Sequence, residues 1–387
     1  MANPMFVGQG HFSHVNTRLR EALQPELGPM SWYDARQALA GPLGLALGVS
    51  AVAVRRPEFV LQPRRLFRAR ILTTPTFDLM SRAARDHANR LDPAYVFQTQ
   101  GFFDGHLDDR PFFVYTDYTE LANLRGRRDH KLMPERWLRR ERRLYERADL
   151  IFAASSTTQE SLDEDYAVPD AKVILTHIGI NAEIPPSVPD RAEHTYNILF
   201  VGLEWERKGG PDVLRAFERL RSQVPTATLT IVGCRPGPRP PRGVQYVGKV
   251  PLRTLPRYLA AASVFCLPAH HEPAGIAYSE AAAWGLPVIA STAGDIADRV
   301  LDGRTGYLVA PGDVDALHDA LLRLAADPPL RVTLGRAGRT HVLANFTWPR
   351  VAEKIAAAVR TRIGLKRDAN PADPGSSDPR LSRTPES

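Results

Sequence analysis

The chain has 387 residues, enough for two domains with full cores. Its 43% hydrophobic and 24% charged side chains exclude a disordered or fibrous protein. A formal net charge of +7 favours nucleotides, phosphates or an anionic membrane face as partners, although 44 of the 50 basic residues are arginine and part of that excess is compositional.

The first ten residues, MANPMFVGQG, lack the charged and apolar segments of a secretory leader. Residues 5–8 read as a strand, followed by a Gly8-Gln9-Gly10 turn and a helix over 14–23. A second strand is expected at 30–33. Residues 38–54 carry no charge and read as a buried helix, or a strand with a loop; the alternative is shallow insertion into a bilayer surface. A basic piece at 64–70 precedes a helix at 76–90, and strands follow at 95–99 and 111–116. The segment 125–147 holds ten Arg or Lys and four acids. Its helix, 134–148, carries Trp137, Leu138, Leu144 and Tyr145, which either face the core or rest on an anionic membrane. Nucleic acid is a poor partner, because the basic residues are not interleaved with aromatic side chains.

Strands at 151–154 and 173–175 bracket a helix opening at 155–160. There Ser156 with Gln159, or Thr157 with Glu160, fits a capping box. Three prolines across 179–193 mark a linker. Beyond it come a strand (198–201), a loop (202–210), a helix (211–221) and a strand (229–232). A Pro-rich loop (234–243), a strand (244–247) and a helix (252–262) follow. A buried strand at 264–267 leads into a loop with Glu272, a helix from Ile276 that carries Glu280 and ends at Gly285, and a strand at 286–290. Asp313 is the expected cap of a helix reaching Ala326, and a last helix spans 348–363. From about 366 the chain is rich in Pro, Asp, Ser and Arg and reads as a disordered tail. Cys234 and Cys266 imply neither a disulfide framework nor a zinc site, and a reducing compartment. Alternating strands and helices predict a doubly wound α/β fold.

The stretch HHEPAGIAYSEAAAWGLPVIAS from His270 resembles the retaining glycosyltransferases of the GT-B fold, family 4. So do ILFVGLEWERKGGPDVLRAF from Ile198, Gly294-Asp295, LDGRTGYLVAPGDVDALHDAL from Leu301 and FTW at 346–348. The likeness covers roughly 196–363. It implies two Rossmann-like domains facing each other across a cleft. Residues 1–180 would bind the acceptor, 181–195 link, 196–347 bind the nucleotide sugar, and 348–365 cross back to the first domain, leaving 366–387 as the tail.

The resemblance also implies roles. Lys208 would hold the diphosphate and Glu272 would face the donor sugar. Glu280 would accept from the ribose hydroxyls. Gly202, Ala274, Gly275, Ile276 and His271 would line the donor, with N–H groups of the 275–276 turn on the phosphates. The family's arginine after the loop glycine is Leu203 here, so Arg207 is the candidate replacement. On the acceptor side the candidates are Gly10, His11, Thr116 and Asp117. Two Asp-x-Asp-like triplets, 163–165 and 313–315, sit on expected surface helices, so no metal and no cofactor beyond the donor is expected. The function implied is sugar transfer from a nucleoside-diphosphate donor to a glycan, lipid-linked or small-molecule acceptor. Its place would be the cytoplasm, or the inner membrane face. A non-catalytic nucleotide-sugar binder, or an epimerase or phosphorylase on the same frame, are the alternatives; a dehydrogenase is disfavoured because no GxGxxG opens a helix.

Overall fold

The computed structural model describes residues 3–10, 14–125, 133–189, 196–272 and 274–364. The expectations for His11, part of the basic segment, the end of the linker, Pro273 and the tail lie outside the described residues.

In the first half, β1 (Met5–Gly8), α1 (Val15–Leu27) and β2 (Ser31–Asp34) lead to α2 (Pro42–Arg55), α3 (Pro63–Ala69) and α4 (Thr74–Leu91). Then come β3 (Val96–Thr99), β4 (Phe112–Thr116), α5 (Glu120–Arg125), α6 (Glu135–Arg147), β5 (Leu150–Ala153), α7 (Ser156–Glu164) and β6 (Val173–Leu175). The second half runs β7 (Asn197–Val201), α8 (Gly210–Gln223), β8 (Thr228–Val232), β9 (Val244–Gly248), α9 (Leu255–Ala261), β10 (Val264–Leu267), α10 (Ile276–Ala283), β11 (Val288–Ser291) and β12 (Gly306–Val309). Three helices close the chain: α11 (Val314–Ala326), α12 (Pro328–Asn345) and α13 (Trp348–Ile363).

The strands form two parallel six-stranded sheets, ordered β2-β1-β3-β4-β5-β6 and β12-β11-β10-β7-β8-β9. The first sheet is apolar on both faces because its strands alternate large side chains on either side. Met5, Val7, Phe112 and Val114 join one core cluster, Phe6, Phe113 and Tyr115 the other. The second cluster is closed by α13, whose Trp348, Val351, Ile355 and Val359 pack into it. Arg360 Nη2 also donates to Glu26 Oε2 at 2.7 Å, and Arg362 Nε to Asp149 Oδ1 at 3.0 Å. The last helix therefore lies against the first half.

Several local expectations need correcting. The cap of α7 is Ser155, which accepts from Thr158 N–H at 3.2 Å, not Ser156 or Thr157. Residues 252–262 split into a single 3-10 turn and the shorter α9. Helix α12 and strand β12 were not expected. Trp137, Leu138, Leu144 and Tyr145 of α6 are all buried, so its apolar members are core. Its arginines line an open cavity of about 780 Å³ with Asp78 and Asp104, where Arg140 Nε meets Asp78 at 2.6 Å and Arg147 Nη1 meets Asp104 at 2.9 Å. The uncharged segment is a helix, but not a buried one: Leu43 is 65% exposed and Val54 86%. Among the described residues no helix is long and apolar enough to cross a membrane.

Candidate active site

In the second sheet the winding reverses between β7 and β10, which are paired neighbours. Ligands of open α/β sheets bind at such a switch point, beyond the carboxyl ends of the strands. The loop after β7 carries Arg207 and Lys208, and the loop after β10 carries His270, His271 and Glu272. Gly209 lets these loops touch. It sits at φ 72°, and a Cβ there would come within 2.1 Å of Pro268 O. The result is an ion pair between Lys208 Nζ and Glu272 Oε2, both largely buried. The Lys208 stem runs over Gly202, where a Cβ would lie 3.2 Å from Lys208 Cγ.

Helices α8 and α10 both begin beside this pair, each after a glycine in the left-handed region. Their first N–H groups and dipoles favour an anion. Gly275 N–H donates to Glu272 Oε1 at 3.3 Å. Ala274 and Ile276 pack against the first-half cluster that contains Tyr115 and Trp348, so the start of α10 is held by both halves of the chain. Arg207 is half-buried: it pairs with Glu204 and donates from Nη1 to His271 O at 2.6 Å, while its own carbonyl accepts from His270 N–H at 2.9 Å. Leu203 is 61% exposed. His270 Nε2 lies 2.7 Å from Asp212 Oδ2. His271 is buried, edge-on to Tyr118 of the first half at 6.3 Å between centroids.

Glu280 is buried, and burial pushes its carboxyl up to about 7 against the opposing pull of the Ala182 and Asn181 N–H groups and of Arg299. Its Oε1 accepts from Ala182 N–H at 3.0 Å, which ties the site to the segment joining the halves. On the other side of the cleft, Gly10 sits at φ 59° with Arg36 against it and donates its N–H to Asp34 Oδ1 at 3.1 Å. Thr116 is fully buried and its hydroxyl donates to Tyr118 O at 3.1 Å. Asp117 is half-buried, and burial first, then the charge of Asp295, pushes its carboxyl up to about 7.

Residues 195–327 match the sequence model of the glycosyl transferases group 1. The match covers about a third of the chain, all of it in the second half. A glycogen synthase of Mycobacterium tuberculosis is 32% identical over 235 residues, 57% of this chain and 55% of the relative. A GDP-mannose-dependent phosphatidylinositol monomannoside mannosyltransferase of Mycolicibacterium smegmatis is 35% identical over 167 residues, 39% of this chain and 44% of the relative. The chain thus spans about half the length of the curated relatives it matches. A solved sucrose-phosphate synthase from Thermosynechococcus elongatus superposes with TM-score 0.67 over 94% of this chain and 99% of that one at 20% identity, which establishes the GT-B fold for both sheets.

Within this fold, Lys208, Glu272, Gly202, Gly275 and His271 lie together at the switch point, and Glu280 lies one turn further along α10. The two acidic triplets are elsewhere. Asp165 accepts from Ser161 Oγ at 2.6 Å; Asp313 caps α11 through Ala316 N–H at 2.9 Å, and Asp315 pairs with Arg219.

Sequence reasoning missed Arg299, Asp298 and His177. Arg299 is buried, donates from Nη1 to Ser279 Oγ at 2.6 Å, and stacks 4.6 Å from the Phe346 ring centre. A Cβ on Gly275 would lie 2.9 Å from Arg299 Cδ, so this arginine braces the turn that opens α10. His177 Nδ1 stands 3.8 Å from Asp298 Oδ2, and burial pushes the imidazole down to about 4.

Proposed function

We propose that the protein transfers a sugar from a nucleoside-diphosphate donor to an acceptor hydroxyl, with retention at the anomeric carbon and no metal. The observation that carries this reading is the Lys208–Glu272 pair at the switch point, flanked by the starts of α8 and α10. Breaking the bond between the anomeric carbon and the diphosphate builds positive charge on the sugar ring and negative charge on the leaving oxygen. Lys208 and the N–H groups at the two helix starts meet the negative charge. Glu272 lies beside it, where a carboxylate stabilises the ring. Glu280 Oε2 accepts from the ribose hydroxyls, a role that needs the ionised form.

The acceptor oxygen attacks the same face of the sugar as the bond breaks, and its proton passes to the departing phosphate oxygen. A protein base is then not required, which suits a first half in which the Thr116 hydroxyl is turned inward. At that edge, burial pushes the Asp117 carboxyl up to about 7. The names of the relatives, a glycogen synthase and a GDP-mannose-dependent mannosyltransferase, support this class of chemistry without fixing donor or acceptor.

The test is a thermal-shift panel of nucleotide sugars, since a ligand that binds the folded form raises the midpoint by mass action. Donor turnover with and without sugar and lipid acceptors follows. A nucleotide sugar that binds but is never turned over with any acceptor would reduce the protein to a binder. No shift with any member of the panel would remove the reading altogether.

A further inference from the structure

The helix α2 is built inside out. Its buried positions are Gly44, Gly48 and Val52, while Leu43, Leu47, Ser50 and Val54 form a stripe at helical spacing on the outer face. The glycines fix this choice. A Cβ on Gly44 would lie 2.7 Å from Ala38 O, and one on Gly48 2.9 Å from Arg70 Cβ, so only the glycine side can approach the rest of the domain. Six of the nine large hydrophobic side chains exposed among the described residues fall here: Leu43, Leu45, Leu47, Val54, Val60 and Leu61, the last 90% exposed. An apolar concentration of this kind marks an interaction surface.

Charge identifies the occupant. Residues 38–70 contain six arginines against one acid, Glu58, which pairs with Arg56, while Arg55 donates to Met133 Sδ and Arg70 to Leu39 O. Arg64 and Arg65 are exposed at the start of α3. A specific protein interface needs about one hydrogen bond per 100–200 Å², yet between residues 41 and 54 the only polar side chain is Ser50. A second copy of the chain would bring arginine against arginine across a twofold contact. A bilayer needs neither hydrogen bonds nor shape matching from this face. With 14 residues, α2 extends roughly 21 Å, short of the ~30 Å hydrocarbon core, so it lies in the interface and does not span it.

We infer that α2 and the turn leading to α3 dock the protein on an anionic bilayer, with leucine and valine side chains entering the headgroup boundary and arginines lying among the phosphates. This surface is separate from the Lys208–Glu272 site and does not depend on the transferase reading. It sits next to the acceptor edge of the first sheet: α2 packs on the 3-10 turn Ala35–Leu39, which follows directly from Asp34, the partner of the Gly10 N–H.

The experiment is flotation of the full chain with phosphatidylcholine vesicles with and without phosphatidylglycerol. Three proteins are compared: the wild type, a Leu43→Ser/Leu47→Ser/Val54→Ser/Leu61→Ser variant, and an Arg64→Glu/Arg65→Glu variant. All six positions are exposed, so melting temperatures should match. The wild type should float with phosphatidylglycerol vesicles only, and each variant should partition at least ~10-fold more weakly, given about a fivefold factor per basic residue at such a surface. Nucleoside-diphosphate binding in calorimetry should be equal in all three, which separates this outcome from a failure of the site. The inference is overturned if the wild type never floats or if the serine variant floats as well as the wild type. It is also overturned if the wild type is a dimer that the serine variant converts to monomer.

Discussion

Asp298 of the second half holds Ser156 of the first: its Oδ2 accepts from the Ser156 N–H at 3.0 Å and its Oδ1 from the Ser156 hydroxyl at 2.7 Å. Asp295 accepts from the Thr157 N–H at 3.3 Å, and Ser155 from that of Thr158. The first three amides of α7 are thus satisfied, two of them by the opposite half of the protein. Replacing Asp298 by Ala should lower stability by about 1–2 kcal/mol, the usual worth of a strong cap, and loosen the two halves together. Thermal melting and small-angle scattering check this; a variant with unchanged melting and dimensions would show the contact to be idle.

The pH dependence of that contact has a defined sign. Burial pushes Asp295 up to about 6 and Asp117 up to about 7. A carboxyl raised in the folded state contributes stability that is complete below its unfolded pKa, about 4, and is lost as pH climbs to the folded value. From these two groups stability falls between about pH 4 and 7 and is level above. Asp295→Asn should flatten the part of the melting curve series below about pH 6 and, by removing a charge that helps to raise Asp117, narrow the Asp117 part as well.

At the donor site, Lys208→Ala should cut turnover by about 10²–10³, the cost of losing one preorganised partner of the leaving group. It also strands the buried Glu272 carboxylate, so melting should drop as well. Adding Glu272→Gln should restore melting without restoring turnover. Recovery of both would make the pair structural only.

Glu280 titrates near neutrality, so nucleoside-diphosphate affinity should strengthen as pH rises from about 6 to 8 and the acceptor for the ribose hydroxyls ionises. Glu280→Gln should weaken binding by about 1–3 kcal/mol and abolish the pH dependence. Calorimetry at three pH values is sufficient.

Transfer should persist in excess chelator, because Asp313, Asp315 and Asp165 already have structural partners away from the site. Loss of activity with chelator and its return with Mg²⁺ or Mn²⁺ would contradict this.

How much of this was legible in the sequence follows from distance along the chain. The strands β7 and β10 and the loops after them are local features: a short apolar run, a glycine, a charged pair, a small-residue helix. Their pattern, with the family resemblance, was enough to assign Lys208 and Glu272 to one donor site, but not to foresee the ion pair between them. Arg299, Asp298 and His177 carry no local pattern, since their partners lie on other elements, 142 residues away for Asp298 and Ser156. Helix α12 escaped for another reason. It packs through Gly335, where a Cβ would meet Gly285 O at 2.0 Å, so the stripe that marks a buried helix is partly missing. Helix α2 deceived in the opposite sense: an uncharged segment reads as core, and only the packed glycines show that the leucines point outward.

The docking of α13 constrains how the protein can be made. The face of the first sheet that carries Phe6, Phe97 and Tyr115 is sealed by Val351, Ile355 and Val359. On a ribosome, that face is covered only in part, by Val15, Leu19 and Leu23 of α1, until nearly the whole described chain has emerged. The half synthesised first is therefore the half completed last, and a nascent chain stalled before residue 348 leaves the part of this face that α13 covers without its partner.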